Sequence, residues 1–218
     1  MDIIDFKKSE KKIYMPSTKP TIIEIPKMNY IMIHGSGNPN IEGGEYQNSI
    51  PILYGIHYAI KMSKKGTRDI KGYYDYVVPP LEGLWWMNGL HGIDYVHKEN
   101  FHFCSMMRLP EYVDQEIFDW ACVQLQKKHP EYDLSIVSFE SFEEGICAQM
   151  MHKGPYDDEP ATLKQLLSYI DEQGYVTDYD SISSDGQLRK HHEIYLSDPR
   201  KCKAETMKTV IRLPIRRT

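Results

Sequence analysis

The sequence has few cysteines and no run of apolar residues long enough to cross a membrane. Its 218 residues include four cysteines, Cys104, Cys122, Cys147 and Cys202, with no C-x-x-C pair among them. This predicts reduced thiols in a cytoplasmic protein rather than a disulfide-bonded fold. No stretch approaches the roughly 18 apolar residues that a membrane helix needs, and the charged start from Asp2 onward does not resemble a signal peptide. We therefore expect no membrane partner.

The sequence also lacks an excess of basic residues and the motif of a serine hydrolase. Lysine and arginine number 26 against 31 aspartates and glutamates, a net charge of −5, so nothing predicts direct nucleic-acid binding. No G-x-S-x-G motif occurs and no cysteine lies in an activating setting, which leaves a nucleophilic hydrolase unsupported. Tyrosine, in contrast, is abundant, with 16 residues against 6 phenylalanines. Its apolar ring and polar tip suit a half-solvated cavity, although amphipathic surface strands would explain it equally well.

The hydrophobic pattern predicts strands and three main helices in alternation. A helix is expected from Glu45 to about Met62, a second between Pro110 and Pro130, and a third after the acidic cluster at residues 157–159. That cluster is interpreted as a helix cap, and Leu167, in the middle of the apolar stripe, is expected to be buried. Strands are predicted at residues 21–25, 30–34, 73–87, 101–109, 135–138, 145–152, 188–196 and 207–215.

Short sequence matches between the two halves indicate a repeat. Residues 107–110 (MRLP) match residues 211–214 (IRLP), and Glu82 aligns with Glu193. We therefore predict an α+β fold, a tandem β-α-β-β duplication that forms a pseudo-twofold antiparallel sheet around a central ligand pocket. The halves span about 21–110 and 131–218, the connector helix about 111–129, and residues 1–20 form a polar lead-in.

Glu82 and Glu193 each lie on a strand rich in aromatic residues. Strand alternation places His191, Glu193 and Tyr195 on one face; Glu82 and Trp86 share a face and Trp85 takes the other. A carboxylate in an apolar pocket serves as a general acid or base, or as the counter-ion of a cationic ligand. An ordinary glutamate on an exposed strand face remains the alternative for both.

Histidines invite metal and haem hypotheses. His191 and Glu193 are spaced to ligate one metal ion, but no third ligand is suitably placed, so we expect neither a metal nor another cofactor. His34 and His152, the repeat-related pair, are expected to bond to the backbone beside glycine turns.

Several motifs together resemble the GyrI-like small-molecule-binding family. They are residues 26–40, YVVPPLEGLWW at 76–86, GPYDDEP at 154–160 and HEIYLSDP at 192–199, and the resemblance runs from about Lys11 to Ile215. It implies two β-α-β-β units around a central pocket. Related regulatory domains hold flat, often cationic drugs with a glutamate that falls at Glu193, while stand-alone members resembling this chain hydrolyse the cyclopropane of cyclopropanoid DNA-alkylating compounds in an aromatic cage.

The resemblance implies a cytoplasmic xenobiotic-binding protein with hydrolase activity on cyclopropanoids. Glu193 would activate water, Tyr195 would donate a hydrogen bond, and a set of four residues would bind the ligand. The expected partners are flat aromatic small molecules, cationic or cyclopropanoid; the oligomeric state stays open. The alternatives are a non-catalytic module that sequesters drugs or modulates DNA gyrase, and haem binding through His34 and His152. The four ligand-binding residues are Trp85, Trp86, Glu82 and Met150.

Overall fold

The computed structural model describes residues 3–66, 68–179, 181, 182, 186 and 188–218. Its helices are α1 (Phe6–Ser9), α2 (Lys11–Tyr14), α3 (Glu45–Met62), α4 (Gln115–Lys128) and α5 (Glu159–Glu172). Its strands are β1 (Thr21–Ser36), β2 (Leu81–Trp86), β3 (His102–Arg108), β4 (Val137–Lys153), β5 (Tyr175–Thr177), β6 (His191–Tyr195) and β7 (Lys208–Arg217). Within these described ranges, no helix is long and apolar enough to cross a bilayer.

Six of the strands close into a barrel-like antiparallel sheet. They follow the order β4-β1-β3-β2-β6-β7, and β7 pairs back onto β4, while the short β5 adds to β7. The two long strands β1 and β4 bend where Pro26 removes a ladder donor and Gly145 takes a positive φ of 69°. The predicted mixture of helices and antiparallel sheet is confirmed; the tandem duplication stays a prediction.

Helices cover the outer face of the barrel. α3 and α4 pack on a core that includes Ile31 and Met107, while α5 covers Met150 and Ile211. On α5, Leu166 and Ile170 are buried against the sheet. Leu167 is 40% exposed, so its predicted burial is wrong. One residue along a helix turns a side chain by about 100°, which carries Leu167 off the buried stripe.

The barrel interior is packed with side chains, and the N-terminal segment contributes to it. Phe6 of α1 and Tyr14 of α2 belong to the same buried cluster as Met106 of β3 and Ile194 of β6. Tyr14 is fully buried, and Arg212 of β7 donates to the Ile13 carbonyl at 2.9 Å. The lead-in therefore packs on the barrel, and its side chains fill part of the barrel interior.

The pairing of β2 with β6 places Glu82 and Glu193 on opposite faces. Glu82 lies opposite Ile194, and Gly83 lies opposite Glu193. Because neighbours in register share a face, Glu82 points into the barrel and Glu193 points out toward the helices. The sequence alignment that made these two glutamates equivalent is therefore wrong by at least one residue.

Candidate functional site

A cluster of polar and aromatic side chains lies on the outer face where β2 and β6 pair. Trp85 stands opposite His191, and the strand alternation brings Glu193 and Tyr195 to the same face, as predicted. Glu159, at the start of α5, completes the cluster because its charge interacts with that of Glu193. We call these five residues the Glu193 site.

A continuous chain of hydrogen bonds fixes the orientation of Glu193. The Trp85 indole donates to the Tyr195 hydroxyl at 2.7 Å, and that hydroxyl donates to Glu193 Oε2 at 2.8 Å. His191 Nε2 lies 3.1 Å from Glu193 Oε1. Gly83 makes room for this arrangement, since a Cβ there would lie 2.7 Å from Trp85 Nε1 and 3.1 Å from the Tyr195 oxygen. Both oxygens of Glu193 are therefore held in place by fixed neighbours.

Glu159 supplies a second buried carboxyl group. It is 1% exposed and Glu193 is 8% exposed. Burial, followed by the negative charge of Glu193 and a hydrogen bond with it, raises the pKa of Glu159 well above the ordinary value. Glu159 thus keeps its proton beside the Glu193 carboxyl, as expected where two carboxyls share a low-dielectric site.

The sequence interpretation of residues 157–159 as a helix cap is wrong for Glu159. Asp158 at the N-cap position makes no side-chain capping bond, and Asp157 pairs with Lys98 at 3.0 Å. Three successive acidic residues are normally solvated at a helix start, so the pattern gives no local signal that one of them is buried. The contact of Glu159 with Glu193 depends on the position of β6, which lies far along the chain.

Tyrosines from separate elements form the walls of the site. Tyr46 of α3 lies 5.1 Å from the Trp85 ring, and Tyr156, in the turn before α5, lies 5.8 Å from the Tyr195 ring. Burial first, and then nearby negative charges that include Glu193, raise the pKa of Tyr156 above its ordinary value. These hydroxyls therefore stay protonated at neutral pH, which makes the wall a source of hydrogen-bond donors.

The segment between β2 and β3, residues 87–101, covers the site. Ile93 packs on the buried cluster that Trp85 forms with Met87, Phe101 and Phe103. Tyr95 lies close enough to Glu159 for this carboxyl to raise the pKa of the tyrosine. Lys98 of the same segment pairs with Asp157 on the far wall. Gly89 and Gly92 take positive φ values of 77° and 106°, which shape the covering turn.

Three predicted site residues lie elsewhere. Glu82 points into the barrel. Trp86 shares that inner face and stacks on His102, with ring centroids 5.7 Å apart. Met150 is on the outer face with Glu193, but β7 separates them and α5 covers it through Leu166. These three residues therefore lie apart from Glu193, because strand alternation turns Glu82 and Trp86 to the inner face and α5 covers Met150.

Glu82 belongs to a buried charge network inside the barrel. His192 lies between two carboxylates, 3.0 Å from Glu82 and 3.0 Å from Glu144, and Arg212 donates to Glu144 at 2.9 Å. Burial would lower the pKa of His192, but the two glutamates outweigh it and raise the pKa. Burial would raise the pKa of Glu144, but His192 and Arg212 lower it to about 2. The network balances its charges and stabilises the barrel core.

The histidine hypotheses find little support. His152 bonds through both ring nitrogens, to Thr162 Oγ1 at 2.8 Å and to the Pro155 carbonyl at 3.0 Å. His34 is exposed and lies on the inner-face side of the sheet, so the two cannot ligate one haem. Among the residues that the structure describes, no group of three or more His, Cys, Asp or Glu side chains is arranged to hold a metal ion.

The buried carboxyl pair walled by aromatic rings makes the Glu193 site the candidate place for a small molecule. Comparison with protein families matches residues 18–216 to the GyrI-like small molecule binding domain. The chain belongs to this family, and the resemblance read from its motifs is confirmed. Comparison with curated proteins found no match.

Solved structures similar to this chain include stand-alone proteins from Listeria innocua. One, described as an uncharacterized conserved protein, shares 46% identity with a TM-score of 0.89, covering 98% of this chain and 100% of the other. Another, described as a hydrolase, shares 44% identity with a TM-score of 0.87, covering 99% and 100%. The EcmrR C-terminal domain, at 12% identity and a TM-score of 0.53 over 92% of this chain and 98% of the other, shows a similar fold only.

Proposed function

We propose that this protein hydrolyses flat aromatic small molecules of the cyclopropanoid type at the Glu193 site. The observation that carries the proposal is the buried pair of carboxyls beside Trp85, in which Glu159 keeps its proton and hydrogen-bonds with Glu193. In such a pair Glu193 is the carboxyl available to act as a base, and the protonated Glu159 holds it in place. The similar Listeria proteins described as hydrolases support the same class of reaction.

The reaction needs a water molecule, a base and a site for the developing negative charge. Glu193 takes a proton from water, and the water oxygen bonds to the cyclopropane carbon. The carbon–carbon bond that breaks sends its electron pair through the conjugated ring to the carbonyl oxygen, which becomes a phenolate and then a phenol. Glu193 then releases to solvent the proton that it took from water, and the phenolate gains one proton. The net reaction therefore consumes only one water molecule.

The neighbours of Glu193 act on its position rather than on the substrate. The Tyr195 hydroxyl donates to Glu193 and accepts from Trp85, and His191 holds the other carboxylate oxygen. This differs from the role of donor to the substrate that the family resemblance implied for Tyr195. Trp85 and the tyrosine walls hold the flat ring by stacking, which places the strained bond near the water.

Turnover of a minimal substrate tests the proposal. The parent spirocyclopropyl cyclohexadienone adds water to give tyrosol, which chromatography quantifies. Glu193→Gln and Glu159→Gln should each lower kcat by about 100- to 10,000-fold. Glu172→Gln, the same substitution at an exposed position of α5, is the matched control and should behave as wild type. Trp85→Ala should raise KM and lower kcat together, because it removes the stacking surface.

The second candidate function is binding without turnover, as in a module that sequesters xenobiotics. The description of the family as a small-molecule-binding domain favours it. Tryptophan fluorescence quenching by the same compounds separates the two. If wild type binds them but forms no more tyrosol than buffer does, hydrolysis is rejected and binding remains. All four cysteines are free thiols, which supports the cytoplasmic location that we propose for either function.

A further inference from the structure

The proposed reaction needs a hydrogen-bond donor at the carbonyl oxygen where negative charge collects. The Tyr195 hydrogen is already directed at Glu193 Oε2. Glu159 directs its proton at Glu193, which leaves its Oε1 as a buried acceptor rather than a donor. A donor that faces the carboxyl pair and is free to bind a ligand must therefore come from another element.

Tyr95 meets this requirement. Its hydroxyl is buried and lies near the Glu159 carboxyl, yet within the described part of the chain no atom meets it at hydrogen-bonding distance and angle. Burial, and then the charges of Glu159 and Glu193, raise the pKa of Tyr95, so the hydroxyl lies near the carboxyl pair and keeps its proton. A buried hydroxyl without a partner costs about 1–3 kcal/mol. That cost is removed when a ligand supplies the acceptor.

The position of Tyr95 in the fold suits the shape of the substrate. Glu193 extends from β6 at the floor of the site, whereas Tyr95 belongs to the covering segment 87–101, whose Ile93 packs on Trp85 and its neighbours. In a spirocyclopropyl dienone the cyclopropane and the carbonyl lie at opposite ends of the ring. A base on the floor and a donor in the cover can thus act on the two ends of one flat molecule.

We propose that the Tyr95 hydroxyl donates a hydrogen bond to the bound ligand, and that the site selects flat aromatic molecules carrying a carbonyl or phenolate oxygen. The inference rests on the proposed function, because it takes the Glu193 site as the place where the small molecule binds. It assigns Tyr95 to the stabilisation of the phenolate that forms when the cyclopropane opens.

A binding experiment tests Tyr95 without relying on turnover. Fluorenone and fluorene are matched tricyclic probes, of which fluorenone alone has a carbonyl. Wild type should bind fluorenone about tenfold more tightly than fluorene, measured by calorimetry. Tyr95→Phe should bind both probes equally. Tyr112→Phe is the matched control, since it also removes a buried hydroxyl without a partner, and it should keep the preference for fluorenone.

A kinetic experiment with the spirocyclopropyl dienone gives a second readout. Tyr95→Phe should lower kcat by about 100-fold while KM changes little, since the hydrogen bond strengthens as charge develops on the oxygen. The inference is overturned if Tyr95→Phe keeps the fluorenone preference, if wild type has none, or if Tyr95→Phe has wild-type kcat. If wild type shows the preference, Tyr95→Phe loses it and no variant turns over the dienone, hydrolysis fails while the role of Tyr95 in binding stands.

Discussion

Glu82 and Glu193 lie on adjacent strands one residue out of register, and they point to opposite faces of the same sheet. Glu82 is buried with His192 inside the barrel, while Glu193 meets Glu159 beneath the helices. Two glutamates on paired neighbouring strands therefore have different surroundings. One glutamate contacts buried His192 inside the barrel, and the other belongs to the proposed site.

The first prediction separates these two roles. Glu82→Gln leaves buried His192 without one of its carboxylates and should lower the free energy of unfolding by about 1–3 kcal/mol. In Glu193→Gln the side-chain oxygen still accepts hydrogen bonds from Tyr195 and the protonated Glu159, so the stability should stay within about 0.5 kcal/mol of wild type. Urea unfolding at neutral pH measures both. Equal destabilisation by the two substitutions would contradict the assignment of faces.

The second prediction uses two neighbouring leucines on α5. Leu166 is fully buried against β4 and β7, whereas Leu167 is exposed. Leu166→Ala should lower the free energy of unfolding by about 2–5 kcal/mol, because it leaves a cavity in the core. Leu167→Ala is the matched control and should change it by less than about 0.5 kcal/mol. Comparable losses would show that the helix is rotated from its assigned orientation.

The sequence was most informative where structure is local. Alternation along one strand correctly grouped Glu193 with Tyr195 and separated Trp85 from Trp86, because side chains on a strand alternate whatever the rest of the fold does. Met150 was expected to bind the ligand, yet α5 covers it, and that cover depends on how a helix packs. Local rules cannot supply that information.

Glu159 and Tyr95 escaped prediction for the same physical reason. Each occupies an unremarkable context, one in an acidic helix start and the other in the segment between two strands. Their importance comes from proximity to Glu193, which the closure of the barrel and the packing of α5 create. A buried carboxyl pair is a property of three-dimensional distance, so no spacing in the sequence announces it.

The third prediction concerns acid stability. His192 and Arg212 lower the pKa of Glu144 to about 2. A lowered carboxyl pKa stabilises the folded state fully above the unfolded value of about 4.5, and this stabilisation disappears as pH falls toward 2. We expect wild type to lose about 3 kcal/mol from this group along that range. Glu144→Gln should be less stable at neutral pH and show a shallower acid limb in urea unfolding; an unchanged limb would remove Glu144 as its source.

The last prediction concerns Gly83, which lies opposite Glu193 on β2. In Gly83→Ala the added methyl group would lie 2.7 Å from Trp85 Nε1, so the indole and the Tyr195 hydroxyl must move apart. We expect about 1–3 kcal/mol of destabilisation and at least a tenfold loss of turnover, because Glu193 loses its fixed donor.

Tyr195→Phe removes the same hydrogen bonds without adding volume, and it should show a similar loss of turnover. If both substitutions act through this one connection, the double variant should be little worse than either single variant, since effects within one network are not additive. Product formation measured in all four proteins completes the cycle. If the double variant loses turnover by the product of the two single losses, Gly83 affects turnover by a route other than the Trp85–Tyr195–Glu193 hydrogen bonds.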